Sequence, residues 1–251
     1  MRILTMGDSI MQYNDCTTYP LTGWIQELVR FFPPETEFKN FARNGRSTKS
    51  FIDEGRFDAV RAEAQKGDFV LIGFGHNDEK AEDPTRYTAP DEGGLFRKNL
   101  AYFVTELRKV GALPILLTPV VRRKFGADGK IEDTHGAYPA AVIATAEALK
   151  VPCIDLTALS TAYVEKLGAE ASKALFMNFG AGIYDNYSAG RNDNSHLRPD
   201  GAFAISRLAA TELSRLSADW PDYAPITRAV LVLTVDRDAL ELEIQDEKLM
   251  A

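Results

Sequence analysis

The sequence is poor in cysteine, in positive charge and in long apolar runs. Two cysteines, Cys16 and Cys153, among 251 residues make neither a disulfide framework nor a zinc cluster, so no metal and no cofactor are expected. No apolar stretch approaches the roughly 18 residues that a membrane span requires. No h-region follows Met1-Arg2-Ile3-Leu4, so no signal peptide is read and a cytoplasmic protein is expected. Lys and Arg total 29 against 36 Asp and Glu, a formal charge of -7. That balance argues against a nucleic-acid binder working through a global basic field. What is present is 45% apolar and 26% charged residues, a globular composition in a chain long enough to bury a full core.

Short apolar runs rich in β-branched residues, read as strands, alternate with helix-period segments. The strands fall at Arg2–Met6, Glu37–Ala42, Asp68–Phe74, Leu113–Pro119 and Pro152–Leu156. The helices fall at Gly23–Phe32, Gly55–Gln65, Leu95–Val110, Tyr138–Leu149 and Pro199–Leu216, the last with proline in its first turn. This order predicts an α/β protein with a parallel sheet and right-handed crossovers. Residues 157–195 hold a further helix, Ala158–Leu167, and a Gly- and Asn-rich loop from Asn178 to Asn194. Past Pro221, two alternating runs, Ala229–Val235 and Ala239–Gln245, predict a β-hairpin extension over 221–251, distinct from a catalytic unit over 1–220. Its apolar residues Val230, Val232 and Leu240 need a cover, and a homodimer would supply one.

Ligands of open parallel sheets bind beyond the carboxyl ends of the strands, so the residues following each strand are the ones to read. They are Gly7-Asp8-Ser9, Arg43-Asn44-Gly45-Arg46-Ser47, Gly75-His76-Asn77-Asp78 and Val121-Arg122-Arg123-Lys124. Ser9 alone reads equally as a turn residue or helix cap, and the Gly-x-Ser-x-Gly elbow is absent. A serine nucleophile needs a base, usually histidine, and there are only three. His196 follows Asp193 by three residues, close enough for the carboxylate to hold one ring nitrogen while the other accepts a serine proton. Asp193 also reads as an ordinary turn residue. Asp133 and His135 compete as a pair, though a spacing of two tends to aim side chains apart, and a structural or substrate-contacting role suits His135. His76 is either a packed rim residue or a substrate contact. A Gly45 amide and the Asn77 side chain, following two different strands, are suitable donors to an oxyanion above Ser9.

The four blocks Gly7-Asp8-Ser9, Asn44-Gly45-Arg46-Ser47, Gly75-His76-Asn77-Asp78 and Asp193-x-x-His196 resemble those of the SGNH (GDSL-like) hydrolases. Longer stretches resemble the rhamnogalacturonan acetylesterase family: Gly45-Arg46-Ser47-Thr48-Lys49-Ser50-Phe51, Phe74-Gly75-His76-Asn77-Asp78, Thr118-Pro119-Val120-Val121-Arg122-Arg123 and Asp133-Thr134-His135-Gly136-x-Tyr138-Pro139. The likeness spans residues 3–216. It implies Ser9 as nucleophile, Asp193 and His196 as orienter and base, and an oxyanion hole of the Ser9 and Gly45 amides with the Asn77 side chain. It also implies a flavodoxin-like three-layer α/β/α sandwich with a five-stranded sheet of order 2-1-3-4-5. In that order the first and fifth strands lie roughly 14 Å apart, too far for Cys16 and Cys153 to bridge.

The resulting expectation is a serine esterase that removes acetyl groups from carbohydrate, pectin-derived rhamnogalacturonan fragments first. Arg122 and Arg123, on the rim that carries Ser9, are candidate readers of a uronate carboxylate, the alternative being that one of the two packs structurally. His76 and His135 are further candidate substrate contacts. Same-fold alternatives are a short-chain carboxylesterase or thioesterase and a xylan deacetylase. A phosphate-binding module at Gly45-Arg46-Ser47-Thr48-Lys49-Ser50 is disfavoured because Thr48 stands where a P-loop needs glycine. A non-catalytic glycan binder would need neither Ser9 nor His196.

Overall fold

The computed structural model describes residues 1–231. In chain order the elements are β1 (Arg2–Gly7), α1 (Ile25–Leu28), β2 (Glu37–Asn40), α2 (Thr48–Asp53), α3 (Arg56–Glu63), β3 (Phe69–Gly73), α4 (Leu95–Lys109) and β4 (Leu113–Leu117). There follow α5 (Tyr138–Leu149), β5 (Cys153–Ile154), α6 (Leu156–Ala171), β6 (Phe176–Phe179), β7 (Arg191–Leu197), α7 (Pro199–Leu213) and α8 (Ala224–Ala229). Strands β1 to β5 form a parallel sheet in the order β2-β1-β3-β4-β5, as the family resemblance implied. A separate antiparallel pair joins β6 to β7.

Strand alternation builds the two flanking layers. Ile3, Phe69, Leu71, Ile115 and Leu117 face a core shared with Trp24, Ile25, Leu28 and the buried side of α7. Their neighbours Leu4, Met6, Val70, Ile72 and Leu116 face the opposite core, built on Phe51, Phe57 and α4. Helix α4 shows why such a segment is helical: Phe96, Leu100, Phe103, Val104 and Leu107 recur at helical spacing and all are buried. Each such burial stabilises by about 1.5–3 kcal/mol relative to exposure.

At the sheet's carboxyl edge, Gly7 of β1 lies opposite Gly73 of β3. A Cβ on Gly7 would sit 2.4 Å from the Gly73 carbonyl oxygen, and a Cβ on either glycine would sit 2.6 Å from Met11 Sδ. Only glycines let the two strands end this close. The strand order reverses here between β1 and β3, which is where an open α/β sheet leaves a crevice.

Several sequence expectations change. The segment Gly23–Phe32 forms only a short α1 followed by a 3-10 turn at Val29–Phe31, and α7 stops at Leu213 rather than Leu216. Helix α2, absent from the expectation, is started by Ser47, whose side chain accepts from the Ser50 N–H. The expected loop from Asn178 to Asn194 is bounded by the paired strands β6 and β7. The chain does not leave the core at residue 221. Tyr223 is buried with its hydroxyl donating to the Pro114 carbonyl at 2.8 Å, and Ile226 and Val230 are buried in the same core. Ala229, expected in a strand, ends α8. The rest of that run and the run Ala239–Gln245 lie outside the described residues. Cys16 and Cys153 are both free thiols. No helix among the described residues is long and apolar enough to cross a membrane.

Candidate active site

Ser9 follows β1 in a turn that Asp8 fastens from within. Asp8 is buried, accepts the Ile10 N–H at 3.0 Å through Oδ1, and faces His76 Nδ1 at 3.2 Å through Oδ2. Burial alone would raise its carboxyl, but the charge and hydrogen bond of His76, with the Ile10 amide, hold it below the usual carboxylate range.

His196 reaches Ser9 from the antiparallel pair. Its Nε2 lies 2.9 Å from Ser9 Oγ, and its Nδ1 lies 2.8 Å from Asp193 Oδ2. Asp193 Oδ1 accepts the backbone N–H groups of Ser195 and His196 at 2.9 and 3.0 Å. Burial pushes the Asp193 carboxyl up, but His196 and these amides outweigh it and keep the carboxyl far below its ordinary range. An ionised Asp193 accepts the Nδ1–H of His196, which leaves Nε2 to accept the Ser9 hydroxyl proton.

A bulge brings Asp193 and His196 together. Phe176 pairs with Leu197 and Asn178 with Asn192, so two steps along β6 match five along β7. The surplus residues of β7 are thrown out of the ladder and re-aimed, as bulges beside sites commonly do. Asn178 Nδ2 donates to the Asp193 carbonyl at 3.0 Å and to Asn194 Oδ1 at 2.9 Å. The Arg123 N–H donates to the Asn194 carbonyl, and its Nη1 donates to Asn194 Oδ1, both at 2.8 Å.

The donors expected opposite Ser9 lie in the same cleft of about 420 Å³, lined among others by Ser9, Gly45, Asn77 and His196. Gly45 has φ +76, a left-handed conformation that favours glycine. Among the described residues the backbone N–H groups of Ser9 and Gly45 have no hydrogen-bond partner. Asn77 Nδ2 donates one hydrogen to the Arg46 carbonyl at 3.1 Å, and an amide carries a second. Next to it, Asp78 Oδ1 accepts the Thr48 N–H and the hydroxyls of Thr48 and Thr88 at 2.9, 2.6 and 2.7 Å. That tie fixes the start of α2 just beyond Gly45.

The four candidate substrate contacts fare differently. Arg123 is buried and spends its guanidinium on Ser172, Asn194 and the Ala169 carbonyl, at the bulge. Arg122 lines the cleft, but it pairs with Glu79 and donates to the carbonyls of Thr134 and His76. His135 is buried, with Nδ1 3.0 Å from Glu79 Oε2 and Nε2 2.9 Å from the Val120 carbonyl oxygen. His76 borders the cleft but is buried too, its Nε2 3.0 Å from that same carbonyl oxygen. Both rings brace the wall of the site. Sequence reasoning missed Asn178 and Arg191. The first carries no motif, and the second is recognisable only as a cation two residues before Asp193.

Residues 5–201 match the model of the GDSL-like lipase/acylhydrolase family. The chain is 36% identical to the rhamnogalacturonan acetylesterase RhgT of Bacillus subtilis, over 89% of this chain and 94% of that one. It is 31% identical to the probable rhamnogalacturonan acetylesterase YesY of the same organism, over 91% and 97%. Among solved structures, Bacillus subtilis YxiM superposes with a TM-score of 0.72 at 27% identity, covering 86% of this chain and 57% of that one. The acetylxylan esterase Axe2 of Geobacillus stearothermophilus superposes with a TM-score of 0.60 at 18% identity, covering 84% and 93%, which is a likeness of fold. The family blocks occupy the rim where β1, β2 and β3 end, and the match runs from β1 into the first turn of α7; the chain belongs to the GDSL-like lipase/acylhydrolase family.

Proposed function

We propose that the protein is a serine esterase that hydrolyses O-acetyl esters of carbohydrates, with pectin-derived rhamnogalacturonan oligosaccharides as its substrate class. Ser9 is the nucleophile. Its Oγ attacks the acetyl carbonyl while His196 Nε2 takes the hydroxyl proton, and Asp193 orients the ring and stabilises the imidazolium. The Ser9 and Gly45 amides and the second Asn77 side-chain hydrogen stabilise the oxyanion. His196 then returns the proton to the sugar oxygen, which leaves as a free hydroxyl. A water activated by His196 attacks the acetyl-Ser9 ester and releases acetate.

The single observation that carries this reading is the run Asp193 to His196 to Ser9, at 2.8 and 2.9 Å, on the wall of a cleft large enough for sugar residues. The substrate class is supported by the names of the two Bacillus relatives, both aligned over most of their length. The exposed free thiol of Cys16 suits a reducing compartment, in keeping with the cytoplasmic location expected from the sequence. Neutral acetylated xylan is the second reading, because Arg122 and Arg123 are already engaged within the protein. Fluorophosphonate labelling, blocked in Ser9→Ala, tests the esterase. Acetate release from acetylated rhamnogalacturonan against acetylated xylan tests the substrate. A wild-type protein that neither labels nor releases acetate would refute the reading.

A further inference from the structure

Three cations line the cleft around Ser9: Lys80, Arg122 and Arg191. Their donors are not equally spent. Arg122 is consumed by Glu79 and two carbonyls. Arg191 commits Nη2 to Asp193 Oδ2 at 3.0 Å, rests its guanidinium 5.4 Å from the centre of the Tyr187 ring, and leaves its side chain 41% exposed. Asp193 Oδ2 is also the oxygen 2.8 Å from His196 Nδ1. One carboxylate oxygen therefore serves both the histidine facing Ser9 and a cation in the cleft wall.

The placement follows from strand geometry. Residues two apart in a strand share a face, so Arg191 and Asp193 stand on one side of β7 where it enters the bulge. The Tyr187 face steadies the guanidinium through its ring quadrupole without using any N–H donor. A guanidinium has five such donors, and only Nη2 is engaged by Asp193.

We infer that Arg191 is a specificity-determining residue that shares its guanidinium between Asp193 and the carboxylate of an acidic sugar carrying or adjoining the acetyl ester. The inference rests on the carbohydrate-esterase reading above. Planar, charge-assisted pairing suits arginine and a carboxylate better than it suits lysine. It also ties recognition to catalysis. The guanidinium that would meet the substrate carboxylate is bonded to the same Asp193 oxygen that faces His196 Nδ1. The charged groups facing His196 are Asp193 and Arg191 from β7 and Asp8 from the turn after β1. Of these three, Arg191 is the one with an exposed side chain that lines the cleft.

The test is Arg191→Gln, with Arg191→Lys and Lys80→Met beside it. Each is assayed for kcat and KM on acetylated galacturonate oligosaccharides, acetylated xylo-oligosaccharides and p-nitrophenyl acetate. In Arg191→Gln the preference for the acidic over the neutral oligosaccharide should fall about 10-fold or more, mainly through KM. Arg191→Lys, which keeps the charge but not the planar fork, should recover only part of the preference. A preference that survives Arg191→Gln, or that disappears in Lys80→Met instead, overturns the inference while leaving the pectin substrate standing. A wild type that deacetylates both oligosaccharides equally removes the inference and the pectin substrate together, and leaves the esterase.

Discussion

Arg123 grips Asn194 twice, its main-chain N–H on the carbonyl and its Nη1 on the side-chain oxygen, both at 2.8 Å. The next residues on either side of Asn194 are Asp193 and Ser195, so this grip fixes the bulge that presents His196. Arg123→Ala should lower kcat on acidic and neutral esters by a similar factor. It should also cost about 1–3 kcal/mol of stability, since the buried Ser172 Oγ and the half-buried Asn194 Oδ1 lose a donor. The denaturant midpoint and the ratio of the two kcat values check this. A loss confined to uronate substrates would return Arg123 to the role of substrate reader.

In the proposed mechanism, Asn77→Ala removes a donor needed chiefly once the carbonyl oxygen has become an oxyanion. A kcat reduced roughly 10²- to 10³-fold with KM little changed is expected. Because Asn77 also donates to the Arg46 carbonyl, circular dichroism must show that the variant is folded. A folded variant with near-normal kcat excludes Asn77 from the oxyanion hole.

Arg122→Ala should impair every ester substrate, not uronates alone. Arg122 joins Glu79 to the carbonyl of His76, the residue before Asn77, so its loss slackens the oxyanion wall whatever the sugar. A rise in KM on galacturonate oligosaccharides with p-nitrophenyl acetate turnover preserved would contradict this assignment.

Asp78 makes stability depend on pH. Burial raises its carboxyl from 3.8 to about 7, against the lowering effect of bonds from Thr48 and Thr88. Among the described residues its Oδ2 is buried without a partner, which suits a neutral acid better than an anion. Below about pH 4 the group is protonated in both folded and unfolded chains. Between there and about pH 7 the unfolded chain releases its proton while the fold retains it, so this group's contribution to stability falls as pH rises, then levels off. Asp78→Asn lacks that titration. Relative to wild type it should gain up to about 4 kcal/mol across the window, read from denaturant midpoints at several pH values. A difference that stays flat with pH would mean that Asp78 is already ionised in the fold.

Legibility in the sequence followed the range of the interactions. Strands β3 and β4 could be read because each is a continuous apolar run, and Tyr138–Leu149 could be read to the residue because proline opens it and its buried positions recur at helical spacing. Ser9, Gly45 and Asn77 were readable as candidates because each lies in the loop after a sheet strand, two, five and four residues beyond β1, β2 and β3. Asp193 and His196 could be paired by spacing, but the strand that carries them could not. Arg191-Asn192-Asp193-Asn194-Ser195-His196 has no apolar alternation, and it pairs with β6 only where tertiary contacts hold it. Which of Arg122 and Arg123 packs structurally could not be read, for a related reason. A cation after a strand looks exposed in sequence, and only the approach of β7 and the end of α6 buries it. The tail misled through Ala229 and Val230, whose alternation arises at a helix end packed on the core.

Ser9 and His196 belong to parts of the molecule with unequal local stability. Ser9 is rooted in β1, the strand between β2 and β3 in the buried five-stranded sheet. His196 hangs from a two-stranded ribbon whose bulge interrupts its own ladder, and the bulged residues themselves are held by bonds from Arg123 and Asn178. Local opening costs least where regular pairing is thinnest. Mild heat or denaturant should therefore part the histidine from the serine while the central sheet is still intact. Hydrogen exchange at the amides of β7 should rise together with the loss of turnover, ahead of exchange at β1, β3 and β4, so that loss of activity reports the melting of a ribbon and not of the domain.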